Sequence, residues 1–184
     1  MDIAHTRMSP GAAASVTALY AEHALGLVRF AVVIMGDRPA AEDIVQDAFL
    51  GLYRRWDDLP DTTLPLPYLR VSVLNGCRTA LRRRSRLTLW PGAGTEDGLN
   101  QLAAFGTPAE SAEASVLLSE EQHAVAVALR KLPQRQREAV VLRYYLDLSE
   151  EETAQVMGVA RGTVKSATHR ALAAVGRILK AQSS

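Results

Sequence analysis

Ser149 and Glu152 stand at the head of an apolar-periodic stretch, and Gly158 ends that stretch before a second one begins. A serine followed three residues later by a glutamate is a capping box, in which each side chain satisfies a backbone donor that the first helical turn leaves without a partner. Glycine at 158 supplies the backbone freedom of a tight turn between two helices. Counting from Glu150 as the first position, Ala154 is fifth, Gly158 ninth and Val164 fifteenth. Those positions need a small residue where two helices cross, a residue tolerant of positive φ, and an aliphatic plug. The spacing predicts a helix-turn-helix over Ser149 to Val175. Its second helix would present Arg161, Thr163, Lys165, Ser166, Thr168, His169 and Arg170 outward, with Val164, Ala171 and Leu172 toward the core. A polar, basic leading half is what entry into a DNA groove requires. The competing reading is a helical hairpin whose basic face meets only water. Arginine and lysine can read guanine edges or neutralise phosphate, and the sequence leaves both roles open.

The rest of the chain is also helix-periodic, with no run of strict alternation. A first helix is expected from Ala13 to Met35, with Leu19, Leu25, Leu27, Phe30, Val33 and Ile34 on its apolar face. Gly36 and Asp37 break it, and Asp37 caps a second helix from about Pro39 to Trp56. Pro60, Pro65 and Pro67 mark Leu59 to Pro67 as a stiff loop. A third helix follows from Tyr68 to about Arg84. Residues 91–114, rich in Gly, Ala, Thr and acids, read as a mobile linker. Beyond it, helices are expected over Val116 to Leu132 and, opened by Pro133, over Pro133 to Leu146, with Ala139, Val140, Leu142 and Tyr145 inward. The fold class is therefore all-α: two small helical domains, 1–86 and 116–184, joined by a flexible acidic linker, 87–115.

Net charge is only +1, yet it is unevenly spread. Asp37 to Asp61 holds seven acids and three arginines, and Tyr68 to Arg86 six arginines and no acid. Leu87 to Glu121 holds six acids and no base, and Gln122 to Lys180 ten bases and five acids. Two basic blocks around an acidic one suggest two nucleic-acid contacts held apart by a segment that repels DNA, unless they are ordinary solvated faces. The single Cys77 excludes an internal disulfide, fits a reducing cytosol and reads as a small core residue rather than a redox sensor. No metal-ligand spacing, phosphate loop or nucleophile-base constellation is present, so neither a cofactor nor catalysis is expected. No membrane span or leader is read in the sequence.

Two stretches together carry a family resemblance. LPQRQREAVVLRYYLDLSEEETAQVMGVARGTVKS (Leu132 to Ser166) resembles region four of the extracytoplasmic-function sigma factors of bacterial RNA polymerase. AEDIVQDAFLGLYRRW (Ala41 to Trp56) and YLRVSVLNGCRTALRRR (Tyr68 to Arg84) resemble the same family's region two, and the tail of the second helix-turn-helix helix resembles the actinobacterial branch. The resemblance implies promoter DNA and core polymerase, through the large-subunit clamp helices and flap, as partners, and an anti-sigma protein as a regulator. It implies that Asp43, Gln46, Asp47 and Phe49 meet the clamp helices. It further implies that Asn75, Arg78, Arg82, Arg83 and Arg84 act at the downstream promoter element, and that Arg161, Thr163, Lys165, Ser166, His169 and Arg170 act at the upstream one. The loop Asp61 to Pro67 would help hold a flipped base, and Trp56 and Tyr68 either stack on bases or belong to the core. Departures from the pattern are Ala160, where a capping serine is usual, Ala167, where a long polar residue is common, and Tyr68, where Trp is usual. They bear on promoter preference, not on fold. Rivals from other classes are a self-sufficient DNA-binding regulator that dimerises on operators, and a helical adaptor that sequesters a partner.

Overall fold

The computed structural model describes residues 10–60, 64–88 and 120–182. Among these, all regular elements are helical. The first half comprises α1 (Pro10–Met35), α2 (Arg38–Arg54), a single 3-10 turn (Trp56–Asp58) and α3 (Pro65–Thr88). The second comprises α4 (Glu120–Arg130), α5 (Gln134–Tyr144), α6 (Glu150–Met157) and α7 (Arg161–Gln182). Most of the expected linker, and the start of the helix expected from Val116, lie outside the described residues.

Local chemistry sets the element ends. Gly36 takes a φ of 74°, the left-handed geometry that stops α1. The Asp37 carboxylate then accepts from the Ala40 amide at 3.1 Å, capping α2. Along α2, Ala41, Val45, Ala48, Phe49 and Leu52 form one buried stripe at helical spacing. Pro65 and Pro67, expected in a loop, instead occupy the first turn of α3. Proline is tolerated there because the first amides of a helix lack intrahelical acceptors anyway.

Helix α1 is long and apolar enough over Ala12–Met35 to cross a membrane by length and composition. Leu27, Phe30, Ala31 and Ile34 are instead buried in the core, where α1 packs on α2 and α3. Leu27, Phe30 and Ile34 each contribute roughly 1.5–3 kcal/mol by leaving water. Leu25, expected on this face, is 61% exposed. Helix α3 passes α2 so closely at Gly76 that a Cβ there would sit 2.6 Å from Ile44 Cγ2. Its buried positions are Leu69, Val73, Leu74 and Cys77.

In the second half, Leu142, Leu148, Val164 and Ala171 close the core around the α6–α7 corner. Between α5 and α6 the chain turns at Asp147, whose φ is 50°, and the Arg143 guanidinium donates to the Leu148 carbonyl. Tyr145, expected inward, stands 44% exposed at the end of α5. The halves meet directly: α1 touches α4 and α5, and α3 touches α6.

Burial leaves Cys77 inert. With no exposed surface, its thiol is pushed up to about 12, chiefly by desolvation. At about pH 8 only around one molecule in ten thousand would carry the thiolate that alkylating agents attack. Iodoacetamide should therefore leave the native chain unlabelled and modify it readily in guanidinium. Equal labelling rates in the two states would contradict this burial.

Candidate nucleic-acid interface

The α6–α7 corner is built from its caps upward. The Glu152 amide donates to Ser149 Oγ at 3.1 Å, and the Ser149 amide donates to Glu152 Oε2 at 2.8 Å, so the capping box is complete. Hydrogen bonds from the Ser149 hydroxyl and backbone hold the Glu152 carboxyl below its ordinary range. Gly158, at φ 68°, ends α6, and the Val159 amide donates back to the Ala154 carbonyl at 3.0 Å. That closure aims α7 away from α6. Ala154 is buried at the crossing, and Val164 has no exposed surface.

With its inner face fixed, α7 presents Arg161, Lys165, Ser166, His169 and Arg170 to solvent, with Thr163 half-buried beside them. Arg161 is drawn toward the acidic first turn of α6, 3.4 Å from Glu151 and 3.9 Å from Glu150. Arg170 is steered by its own helix: Nε donates to the Ser166 carbonyl at 3.1 Å and Nη2 to Ser166 Oγ at 3.2 Å. Ser166 Oγ in turn donates to the Thr163 carbonyl. Two sequence expectations change here. Leu172 is 44% exposed rather than inward, and Ala167 is 5% exposed, so a long side chain at 167 would meet the core rather than DNA. Ala160 contributes no side-chain cap, but its carbonyl accepts from the Thr163 and Val164 amides.

The second basic group is divided. Asn75, Arg82 and Arg83 lie exposed on α3. Arg78 is committed elsewhere: it forms a two-pronged ion pair with Glu138 of α5 at 3.0 and 2.7 Å. Arg84 bonds Asp37 Oδ2 at 3.2 Å and the Met35 carbonyl, tying α3 to the α1–α2 corner. Both guanidinium groups, which the resemblance assigns to the downstream element, are thus engaged within the chain. Residues 61–63 of the expected base-holding loop lie outside the described residues. Trp56 and Tyr68 are half-buried against the core, and Tyr68 also lines grooves on both sides of α3.

The acidic face of α2 carries Asp43, Gln46 and Asp47, all exposed. Phe49, expected beside them, is 4% exposed and meets Tyr20 edge-on at 5.0 Å between ring centres. The apolar residue on that outer face is Leu50, 42% exposed. Its position seven residues after Asp43, two turns along one face, was the signal that could have found it. Among the described residues, no group of three or more His, Cys, Asp or Glu could hold a metal ion.

Comparison with known proteins follows the same division. A model of sigma-70 region 2 matches residues 19–87, and one of sigma-70 region 4 matches residues 122–175. An RNA polymerase sigma-E factor of Streptomyces avermitilis is 38% identical over 151 residues, covering 80% of this chain and 75% of the relative. The ECF RNA polymerase sigma factor SigL of Mycobacterium tuberculosis is 31% identical over 163 residues, 89% of this chain and 88% of that one. Two solved structures share the fold. CnrH in complex with the cytosolic domain of CnrY has a TM-score of 0.64 at 22% identity, covering 92% of this chain and 90% of that one. The sigma factor RpoE in complex with the anti-sigma factor NepR from Bartonella quintana has a TM-score of 0.65 at 24% identity, covering 89% and 98%.

Proposed function

The chain belongs to the extracytoplasmic-function group of the sigma-70 family, and from that premise we propose a division of labour among its polar surfaces. It is an RNA polymerase sigma factor that works in transcription initiation by binding core polymerase and promoter DNA. It is a regulatory initiation factor, and we read the chemistry of transcription as belonging wholly to the polymerase, with no catalysis of its own.

The upstream promoter element is read by α7, through Arg161, Thr163, Lys165, Ser166, His169 and Arg170. The observation that carries this is their shared display on one helix, whose opposite side is fixed by the capping box, Gly158 and Val164. Asn75, Arg82 and Arg83 serve the downstream element, joined by Arg78 and Arg84 when their ion pairs within the chain are released. Core polymerase docks its clamp helices on Asp43, Gln46, Asp47 and Leu50, and its flap on the C-terminal unit. The working units are residues 1–86 and 116–184, with 87–115 as the connector. The chain acts in the cytosol. The partner named with RpoE, the anti-sigma factor NepR, supports an anti-sigma protein as its restraint as well.

Run-off transcription on a pool of genomic fragments tests the reading. Discrete transcripts are expected only when the chain and core enzyme are both present. Tight binding to duplex DNA by the chain alone, with no association with core, would sink it in favour of a self-sufficient regulator. The acidic face gives a separate expectation. Asp43→Lys with Asp47→Lys should weaken core association at least about tenfold, because two attractive charges become repulsive. Undiminished affinity in a labelled-core titration would remove α2 from the docking surface.

A further inference from the structure

Within the apolar core that the two halves share, one contact between them is charged. Glu138, on α5, is 1% exposed. Its carboxylate receives Arg78 Nε on Oε1 at 3.0 Å, Arg78 Nη2 on Oε2 at 2.7 Å, and Gln134 Nε2 on Oε1 at 2.8 Å. The same Nη2 reaches the Met157 carbonyl at the end of α6, 3.2 Å away. One α3 guanidinium thus grips both helices of the second half that face it. Beside it, Arg137 of α5 donates to the Ile34 carbonyl in the last turn of α1 at 2.6 Å, serving a helix end that points across the boundary.

We propose that Arg78 and Glu138 form an autoinhibitory clasp that holds the two promoter-reading halves closed and withholds Arg78 from DNA. The proposal rests on the reading above for Arg78's role at the downstream element. A carboxylate engages a guanidinium with the same paired-oxygen geometry as a phosphate, so Glu138 and the DNA backbone compete for one fork of donors. An ion pair also suits a contact that must open. The desolvation that burying two charges costs nearly offsets their attraction, and both are rewetted when the halves part. The clasp therefore specifies one closed arrangement while adding little to its depth. Removing one partner is a different matter, because the survivor is left buried and uncompensated.

The test uses the full chain as wild type, Glu138→Gln, Arg78→Gln, and the exchange Arg78→Glu with Glu138→Arg. Small-angle X-ray scattering reads closure, and circular dichroism reads helix content. A compact chain of this length has a radius of gyration of about 16 Å. Either single variant should raise the wild-type value by several ångströms at unchanged helix content, and the exchange should bring it back. A Glu138→Gln chain with the wild-type radius overturns the clasp. Should that variant lose helix content instead, Arg78→Gln decides by the same reading. Its side chain has its bonding partners Glu138 and the Met157 carbonyl on the second half, so its loss orphans nothing within the first.

A second measurement separates the clasp from the DNA assignment. Without core enzyme, a fluorescent fork-junction DNA of mixed sequence should bind Glu138→Gln roughly tenfold more tightly than wild type, as release of a competing closed state predicts. Arg78→Gln, equally open but lacking the guanidinium, should gain less. An expanded Glu138→Gln chain with unchanged DNA affinity would leave the ion pair as a closing contact only, overturning its autoinhibitory role and refuting Arg78 as a DNA contact.

Discussion

Alanine at both Lys165 and Arg170 is expected to lower promoter-directed run-off transcription about a hundredfold while core affinity stays at the wild-type level. A side chain that reads a base edge contributes roughly 1–3 kcal/mol of discrimination, so losing two such contacts reaches that scale. Both residues are exposed on α7, and neither belongs to the buried face that holds the corner together. Arg170 is already oriented by Ser166, so less freedom would be lost in the proposed contact with DNA. The salt dependence of the residual binding separates the two ways these cations could work. If they contact only phosphate, the slope of log affinity against log salt falls by about one for each, whatever the promoter sequence. If they read bases, preference among promoters relaxes as well. A matching loss of core affinity would mean that this helix is not confined to DNA.

Phe30→Ala should be the most damaging single truncation in the first half. Phe30 has no exposed surface and sits in the core where α1 packs against α2 and α3. Removing a wholly buried phenyl ring costs about 3–5 kcal/mol, from lost transfer free energy and from the cavity left behind. A domain has only about 5–15 kcal/mol in total, so the helices that display the acidic face and the α3 arginines would melt at far lower temperature. A fall in thermal midpoint of more than about 10 °C is expected by circular dichroism. A shift within a degree or two would mean that the neighbours of Phe30 collapse into the space or that the ring is not packed as described.

What could be read from the sequence follows the range of each interaction. The cap on Asp37, the box of Ser149 and Glu152, and the turns at Gly36 and Gly158 depend on residues within a helical turn, and all are present. Most of the outward set on α7 is exposed too, because a cap and a plug together fix which way a helix faces; Thr168 departs from it, its hydroxyl being buried. Errors arise where a residue's fate depends on a distant neighbour. Phe49 stands beside exposed Asp47 in sequence, yet Tyr20 of α1 closes over it. Leu25 and Leu172 satisfy the apolar spacing of their helices and Tyr145 follows the end of α5, yet all three stand exposed among the described residues. The prolines at 65 and 67 occupy a first helical turn and not a loop, a choice to which proline itself is neutral. Arg78 and Glu138 lie sixty positions apart, and nothing local in either segment announces the other.

The tether between Arg161 and the acidic turn of α6 also bears on how DNA affinity responds to ionic strength. Before DNA arrives, this cation is already balanced by Glu150 and Glu151. On reaching a phosphate it would displace a counterion from the DNA and, at the same moment, leave a carboxylate that gathers one from solution. Salt weakens that surface pair as well as the contact to phosphate, so Arg161 would leave a smaller trace in a salt titration than an untethered cation. If α7 reads DNA as proposed, a phosphate count taken from the slope for this helix is expected to run below the number of its arginines and lysines that face DNA. The shortfall identifies a contact prepared by the protein's own carboxylates.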